Sequence, residues 1–402
     1  MNIQENLCTP VVKECDVLVC GGGFAGISAA LAAARMGRKT VLLEREYILG
    51  GLGTAGLISI YLPLCDGRGR QVCFGIVDEL FRLSYSMGWE AKYPANWLDS
   101  DDQSGRNENT PRLQIRYNPN LFALLVEKLL LDEGVEILYG TWAVAVSKEG
   151  QKIQAVIVES KSGRQAICAD SCIDATGDCD IAYFAGAPTV RFQQGNILAA
   201  WYYFLGRAGY DLKILGNSDI PDDEKRLPGA KTVKQLVPQR FSGLESEELS
   251  RMMQLSHQAT LTDIIKKRED DPQLVPTSIA TIPQIRMTRR IAGEYELKEV
   301  QRHTYFDDSV GLVSNWRKRG PVYEVPFGTL YHNSVKNLIV AGRCTSVDEA
   351  MWDIMRVIPC CAVTGQAAGV AAAMTDDFAS LDVKHLQEEL KKQGVILHEG
   401  DL

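Results

Sequence analysis

The sequence predicts an α/β protein: a doubly wound, largely parallel sheet carrying a small antiparallel meander, with an α+β unit inserted into it. Three observations predict it. An apolar run, Asp16–Cys20, ends in the glycine-rich turn Gly21-Gly22-Gly23-Phe24-Ala25-Gly26 and is followed by an alanine-rich helix. Alternating runs joined by hairpin turns occupy residues 142–168. A strand, Asn337–Arg343, and a helix of small residues return late in the chain.

Each element has a local reason. Asp16–Cys20 is short and apolar, as a strand covered on both faces must be. The segment Ile27–Met36 is rich in alanine and leucine, hence helical, and Gly37 ends it. Lys39–Leu43 is a second buried strand closed by Glu44. A helix begins at Pro119-Asn120-Leu121, with Leu121, Leu124, Leu125 and Leu129 at helical spacing. Gly134–Tyr139 reads as a strand. Trp142–Ser147, Ile153–Glu159 and Arg164–Cys168 form the meander, turning at Lys148-Glu149-Gly150 and Lys161-Ser162-Gly163. A further strand, Ser171–Asp174, runs into Ala175-Thr176-Gly177-Asp178. Exposed loops are expected at Asp99–Gln103, Asn107–Thr110 and Gly216–Asp223, and a surface helix over Leu249–Lys267.

The glycine turn carries chemistry. Gly21 permits the tight turn, Gly23 lets backbone approach a pyrophosphate, and Gly26 lets helix and strand pack closely. The helix N-terminus offers free N–H groups and partial positive charge to phosphates. Glu44 follows Gly21 by 23 residues, where a carboxylate can accept hydrogen bonds from a ribose diol. Gly51-Leu52-Gly53-Thr54-Ala55-Gly56 repeats the pattern without a preceding strand and reads as a loop approaching the same ligand. These residues fit NAD as well as FAD, because both carry an adenosine ribose.

The meander ending at Ala175-Thr176-Gly177 resembles the two-domain flavoproteins related to glutathione reductase. Tyr323–Phe327, Leu338–Cys344 and Arg356–Gly369, with Ile282–Tyr295, resemble the FAD-dependent oxidoreductases distantly similar to fumarate reductase flavoproteins and aspartate oxidases. At Gln284–Met287 the chain departs from that group's Pro-Arg-Glu pattern. The resemblance implies FAD, with the last helix aimed at the pyrimidine edge of the flavin. The expected cofactor residues are Gly21, Gly23, Phe24, Ala25, Gly26, Glu44, Arg45, Gly51, Gly53, Thr54, Ala143, Ala175, Thr176, Gly177, Gly342, Arg343, Ile358 and Cys360. Pro359 suits a first helical position, and Gly365, Ala368 and Gly369 allow close packing on the first unit. The expected organisation is an FAD-binding domain of residues 12–61, 114–190 and 321–376. A substrate or cap domain takes 62–113 and 191–320, and a helical tail 377–402.

A substrate oxidation needs a base and a reduction an acid. Of five histidines, His303 and His332 flank the family-like segments, and His303 is the chosen candidate. Arg286 and Arg290 share a face if their segment is helical and would clamp a carboxylate. The alternative is a salt bridge from Arg290 to Glu294. Arg343 and Arg356 sit in flavin-proximal motifs. Cys65 and the vicinal pair Cys360-Cys361 read as packed thiols against the alternatives of a flavin tether and a strained disulfide.

The formal net charge of −8 argues against nucleic acid or anionic lipid as partner. No run of apolar residues is long enough to span a membrane, and no signal peptide or metal-ligand spacing is evident. The 11 cysteines, irregularly spaced, fit reduced thiols in the cytoplasm. The expected function is hydride transfer between FAD and a small organic substrate, with a separate electron donor or acceptor and room for a homo-oligomer. An NAD-dependent dehydrogenase and a flavoprotein-fold binding protein without turnover remain the alternatives.

Overall fold

The computed structural model describes residues 3–62, 64–87, 90–91, 106–110, 114–216 and 235–402. The loops expected at Asp99–Gln103 and over most of Gly216–Asp223 lie outside the described residues.

Seven strands make the main sheet: β1 (Val11–Cys20), β2 (Thr40–Leu43), β3 (Glu136–Leu138), β4 (Trp142–Glu149), β5 (Lys152–Ser160), β6 (Gly163–Asp174) and β7 (Leu338–Val340). β3, β2, β1 and β6 run parallel in that order. β6 is one strand of 12 residues, where the sequence suggested two. The reason is β1, which pairs with it from Ala166 to Asp174 and satisfies its backbone throughout. On its other side β6 first meets antiparallel β5, then parallel β7. The register ends together: Cys20 is level with Leu43 and with Asp174, and Asp174 with Val340. Gly21, Glu44, Ala175 and Ala341 therefore all leave one carboxyl edge of the sheet, the place where open α/β sheets take ligands.

The helices are α1 (Phe24–Arg35), α2 (Ile76–Tyr85), α3 (Pro119–Asp132), α4 (Asp180–Phe184), α5 (Ser246–Asp270), α6 (Glu349–Met355), α7 (Ile358–Met374) and α8 (Val383–Lys392). α7 lies against α1 at backbone distance. A Cβ on Gly365 would come within 2.2 Å of the Ala25 carbonyl oxygen, and one on Gly369 within 2.2 Å of that of Ala29. Both contacts advance by four residues, so the two helices run parallel. Ile358 precedes Gly365 by two turns, which carries the start of α7 about 10 Å beyond the start of α1.

α3 forms where expected, capped by Asn118, whose side chain accepts from Asn120 and Leu121 N–H. Its buried face is different. Phe122, Val126 and Leu130 are inside and Leu124 is 66% exposed. Phe122 fixes this rotation by stacking on Phe24, with ring centroids 4.9 Å apart.

The strands Tyr202–Gly206, Gly209–Lys213 and Val275–Ile279 form a separate antiparallel sheet beside the long α5. Tyr202 and Tyr203 are buried there as core. The hairpin of Ser309–Ser314 and Val322–Pro326 crosses the expected domain boundary and joins the main core. The C-terminal segment is packed: Leu386 and Leu390 of α8, and Leu397 after it, are buried. Among the described residues no single helix is long and apolar enough to cross a membrane.

Candidate active site

The glycine turn shows two kinds of glycine. Gly21 has φ +106°, and a Cβ there would strike the Ala175 carbonyl at 2.4 Å. A Cβ on Gly26 would lie 1.8 Å from the Gly21 carbonyl oxygen. These two are required by the protein itself. Gly23 is different: a Cβ there meets nothing within 4 Å. It is the N-cap of α1, and the first N–H groups of that helix have no side-chain cap.

Glu44 is buried beside this turn. Its carboxylate accepts the Gly22 N–H at 2.8 Å and the Glu46 N–H at 2.8 Å. Burial outweighs these bonds and raises its pKa. The Gly51 loop closes the other side, with Gly50 N–H donating to the Gly22 carbonyl at 2.8 Å. Thr54 Oγ1 donates to the Leu49 carbonyl and is spent within its own loop. The Thr141 N–H donates to the Glu44 carbonyl at 3.1 Å, which brings Trp142 and Ala143 alongside. Arg45 lies 5.4 Å over the Trp142 ring. The Phe24 and Ala25 side chains are core.

Ala175-Thr176-Gly177 is held by Asp174, which accepts from Thr176 N–H, Thr176 Oγ1 and Ala182 N–H at 2.7–3.1 Å. Gly177 has φ +80°, and Arg343 fills the space a Cβ would need. The Arg343 guanidinium donates to the Gly177 carbonyl, to Asp178 and to the Ile285 carbonyl at 3.1–3.3 Å. It ties three loops together. Gly342, with φ +70°, donates its N–H to Thr364 of α7 and sits against Ala25. Asp174, Cys179 and Cys344 also converge. The Asp174 oxygens are committed to Thr176 and Ala182, and burial raises both thiol pKa values.

At the start of α7, Val357 precedes Ile358 and Pro359, and no side chain caps the helix. Pro359 has no N–H, so those of Ile358 and Cys360 are the ones presented. Just before them stands a buried charge cluster that sequence reasoning found only in part. Asp353 accepts from Arg356 Nε at 3.0 Å and Nη2 at 2.6 Å, and from Arg317 Nε. Burial pushes the Asp353 carboxyl up, but Arg356 and Arg317 outweigh it and hold the pKa below the ordinary value. The available signal was an aspartate one helical turn before an arginine in an otherwise apolar stretch. Arg286 joins this cluster, 5.2 Å over the Trp201 ring.

Arg286 and Arg290 do not share a helix face. Arg289–Ile291 is a strand paired with Thr189–Arg191. Arg290 bonds Glu296 at 2.5 Å rather than Glu294, and Arg289 bonds Asp180 at 2.6 Å. Arg290 packs over Trp352 while Arg286 lies over Trp201, so the two do not form one clamp. His303 bonds Glu399 at 2.8 Å on the surface, where it fastens the C-terminal segment. His332 pairs with Ser334 at 2.9 Å. None of the 11 cysteines forms a disulfide, the adjacent Cys360 and Cys361 included, and Cys65 is buried.

A sequence model of the FAD dependent oxidoreductase family matches residues 16–198 and 207–390. The chain belongs to that family. Its cofactor is FAD. Among curated proteins, a glutathione reductase of Yarrowia lipolytica is 31% identical over 38% of this chain and 29% of its own length. A thiamine thiazole synthase of Methanothermobacter thermautotrophicus is 28% identical over 42% of this chain and 58% of its own length. The chain therefore spans less than two thirds of the length of these curated relatives. Among solved structures, a p-nitrophenol 4-monooxygenase of Pseudomonas putida covers 94% of this chain and 84% of its own, at 13% identity and a TM-score of 0.46.

Proposed function

We propose that this flavoprotein transfers a hydride between FAD and a small organic substrate, with the flavin laid from the start of α1 to the start of α7. The observation that carries this is the stagger of two parallel helices. Both N-termini are uncapped. They are offset by about 10 Å, a step that separates a phosphate-binding end from a ring-binding end. The open space at Gly23 fits a pyrophosphate, and Glu44 fits the adenosine ribose beside Arg45 and Ala143. The Gly51–Thr54 loop, the backbone of Ala175–Gly177 and Gly342 line the way between. Arg343 positions these loops.

Bound FAD supplies a hydride donor or acceptor at N5. The chain supplies the rest. The Ile358 and Cys360 N–H groups face the place where negative charge would gather, with the helix dipole behind them. The sheet of Tyr202–Gly206, Gly209–Lys213 and Val275–Ile279, with α5, would cover the substrate. The sequence carries one strand–turn–helix nucleotide fingerprint, so electrons would pass to or from a separate donor or acceptor. Eleven cysteines without a disulfide support a reducing compartment such as the cytoplasm.

Anaerobic titration tests the reading. The chain should take up one FAD, and its absorbance near ~450 nm should bleach on addition of a reducing substrate. No saturable uptake would overturn the reading. So would a flavin that dithionite reduces but that neither bleaches with any organic donor nor, once reduced, passes hydride to any acceptor. That result would leave a binding protein.

A further inference from the structure

The strongest unassigned feature is the side chain of Arg286. Its backbone is pinned: Arg286 N–H and Met287 N–H both donate to Asn196 Oδ1 at 3.0 Å. Next to it, Gln284 bridges the Gly56 carbonyl and the Trp201 N–H. The guanidinium is therefore placed by design of the loop, yet its Nη2 is buried without a hydrogen-bond partner. The charges nearest to it are Arg356, Asp353 and Arg343. Asp353 is already engaged by Arg356 and Arg317, and Arg343 by Asp178. Burial first, then the two neighbouring arginines, push the Arg286 pKa down to about 9. A guanidinium gives up its proton with great reluctance, so an anion is the natural remedy.

We propose that Arg286 receives a carboxylate of the substrate, packed against Trp201 and beside the start of α7. This rests on the reading above that the flavin ring lies at that helix. Three observations select a carboxylate. The orphan group is a planar fork that matches a planar pair of oxygens. The adjacent Trp201 ring, 5.2 Å from the guanidinium, makes the surroundings of Arg286 apolar, where an unpaired charge is costly. The phosphate-binding end lies about 10 Å away along α1, so the pyrophosphate does not serve Arg286. The cluster holds four guanidiniums, of Arg286, Arg317, Arg343 and Arg356, against the carboxylates of Asp353 and Asp178, and a carboxylate offsets part of that excess.

The test uses the FAD-loaded protein with malonate, succinate and benzoate as probes and their amides as neutral controls. Binding is read both by perturbation of the flavin spectrum and by calorimetry, which needs no flavin signal. At least one carboxylate should bind saturably, and its amide at least about tenfold more weakly. Arg286→Gln should weaken the carboxylate by about the same factor, leave the amide unchanged and keep full FAD content. Arg286→Lys should recover part of the loss, which guards against a misfolded glutamine variant. Equal binding of acids and amides, no binding of any acid, or unchanged binding by Arg286→Gln would overturn the proposal. Loss of FAD from Arg286→Gln would overturn it too, by making Arg286 a cofactor residue. A yellow protein that ignores carboxylates sinks this inference alone, whereas a protein that takes up no FAD sinks the functional reading.

Discussion

The two ends of the site are built from opposite materials. The α1 end is backbone: glycines, N–H groups and one buried acid, all within residues 20–56. The α7 end is side chains: Arg286, Arg317, Asp353 and Arg356, brought together from separated loops. Their buried carboxylates differ accordingly. Burial dominates at Glu44 and raises its pKa. At Asp353 the arginines dominate and lower it. A grip common to many ligands is built from backbone, which every sequence shares. The charge proposed to grip a substrate must be placed residue by residue.

The largest effect should come from the protein-required glycines. Gly26→Val puts side-chain atoms where a Cβ alone would already be 1.8 Å from the Gly21 carbonyl. Helix and strand would have to part, so soluble expression and cooperative melting should be lost. A normal melt would break the distinction drawn between Gly26 and Gly23. Next, Asp353→Ala leaves Arg317 and Arg356 facing each other in the interior. Denaturant unfolding should show a loss of about 3–5 kcal/mol. A loss under about 1 kcal/mol would show that water reaches the cluster.

The pH dependence sharpens the contrast. Asp353 has a folded pKa below its unfolded one. Its stabilisation is complete above the unfolded value and is lost as pH falls through the folded value. The gap between wild type and Asp353→Ala should therefore narrow in acid. Glu44 has a raised folded pKa, so the cost of its charge is relieved as pH falls through that value. Glu44→Ala strands the Gly22 and Glu46 N–H groups and should cost about 1–3 kcal/mol near neutrality. The smallest effect belongs to Leu124→Lys, within about 0.5 kcal/mol because the side chain is in solvent. A larger loss would contradict the rotation of α3.

The α1 end was legible in the sequence because its constraints are local. A strand, a turn with three glycines and an acid after the next strand lie in one stretch of chain. The separate roles of Gly21, Gly23 and Gly26 were readable there too; what lay outside that stretch is the Ala175 carbonyl, 154 residues beyond Gly21, which a Cβ on Gly21 would strike. The α7 end was half legible. Arg286 and Arg356 stood out as charges, but the partner Asp353 was passed over. The helix face supposed for Arg286 and Arg290 does not form, since Arg289–Ile291 pairs as a strand with Thr189–Arg191. The face of α3 was off because leucine spacing alone did not reveal that Phe24 would claim Phe122.

Gly23 tests the central claim most directly, because it is the glycine of the turn that the protein does not need for itself. The measurement is the visible spectrum of purified Gly23→Val beside wild type, with a melting curve for each. Wild type should carry the flavin band near ~450 nm. Gly23→Val should be colourless even after incubation with FAD and should melt at the temperature of wild type stripped of FAD, since bound cofactor itself raises the melting point. A Gly23→Val protein that retains full FAD occupancy would contradict the placement of the cofactor at the start of α1.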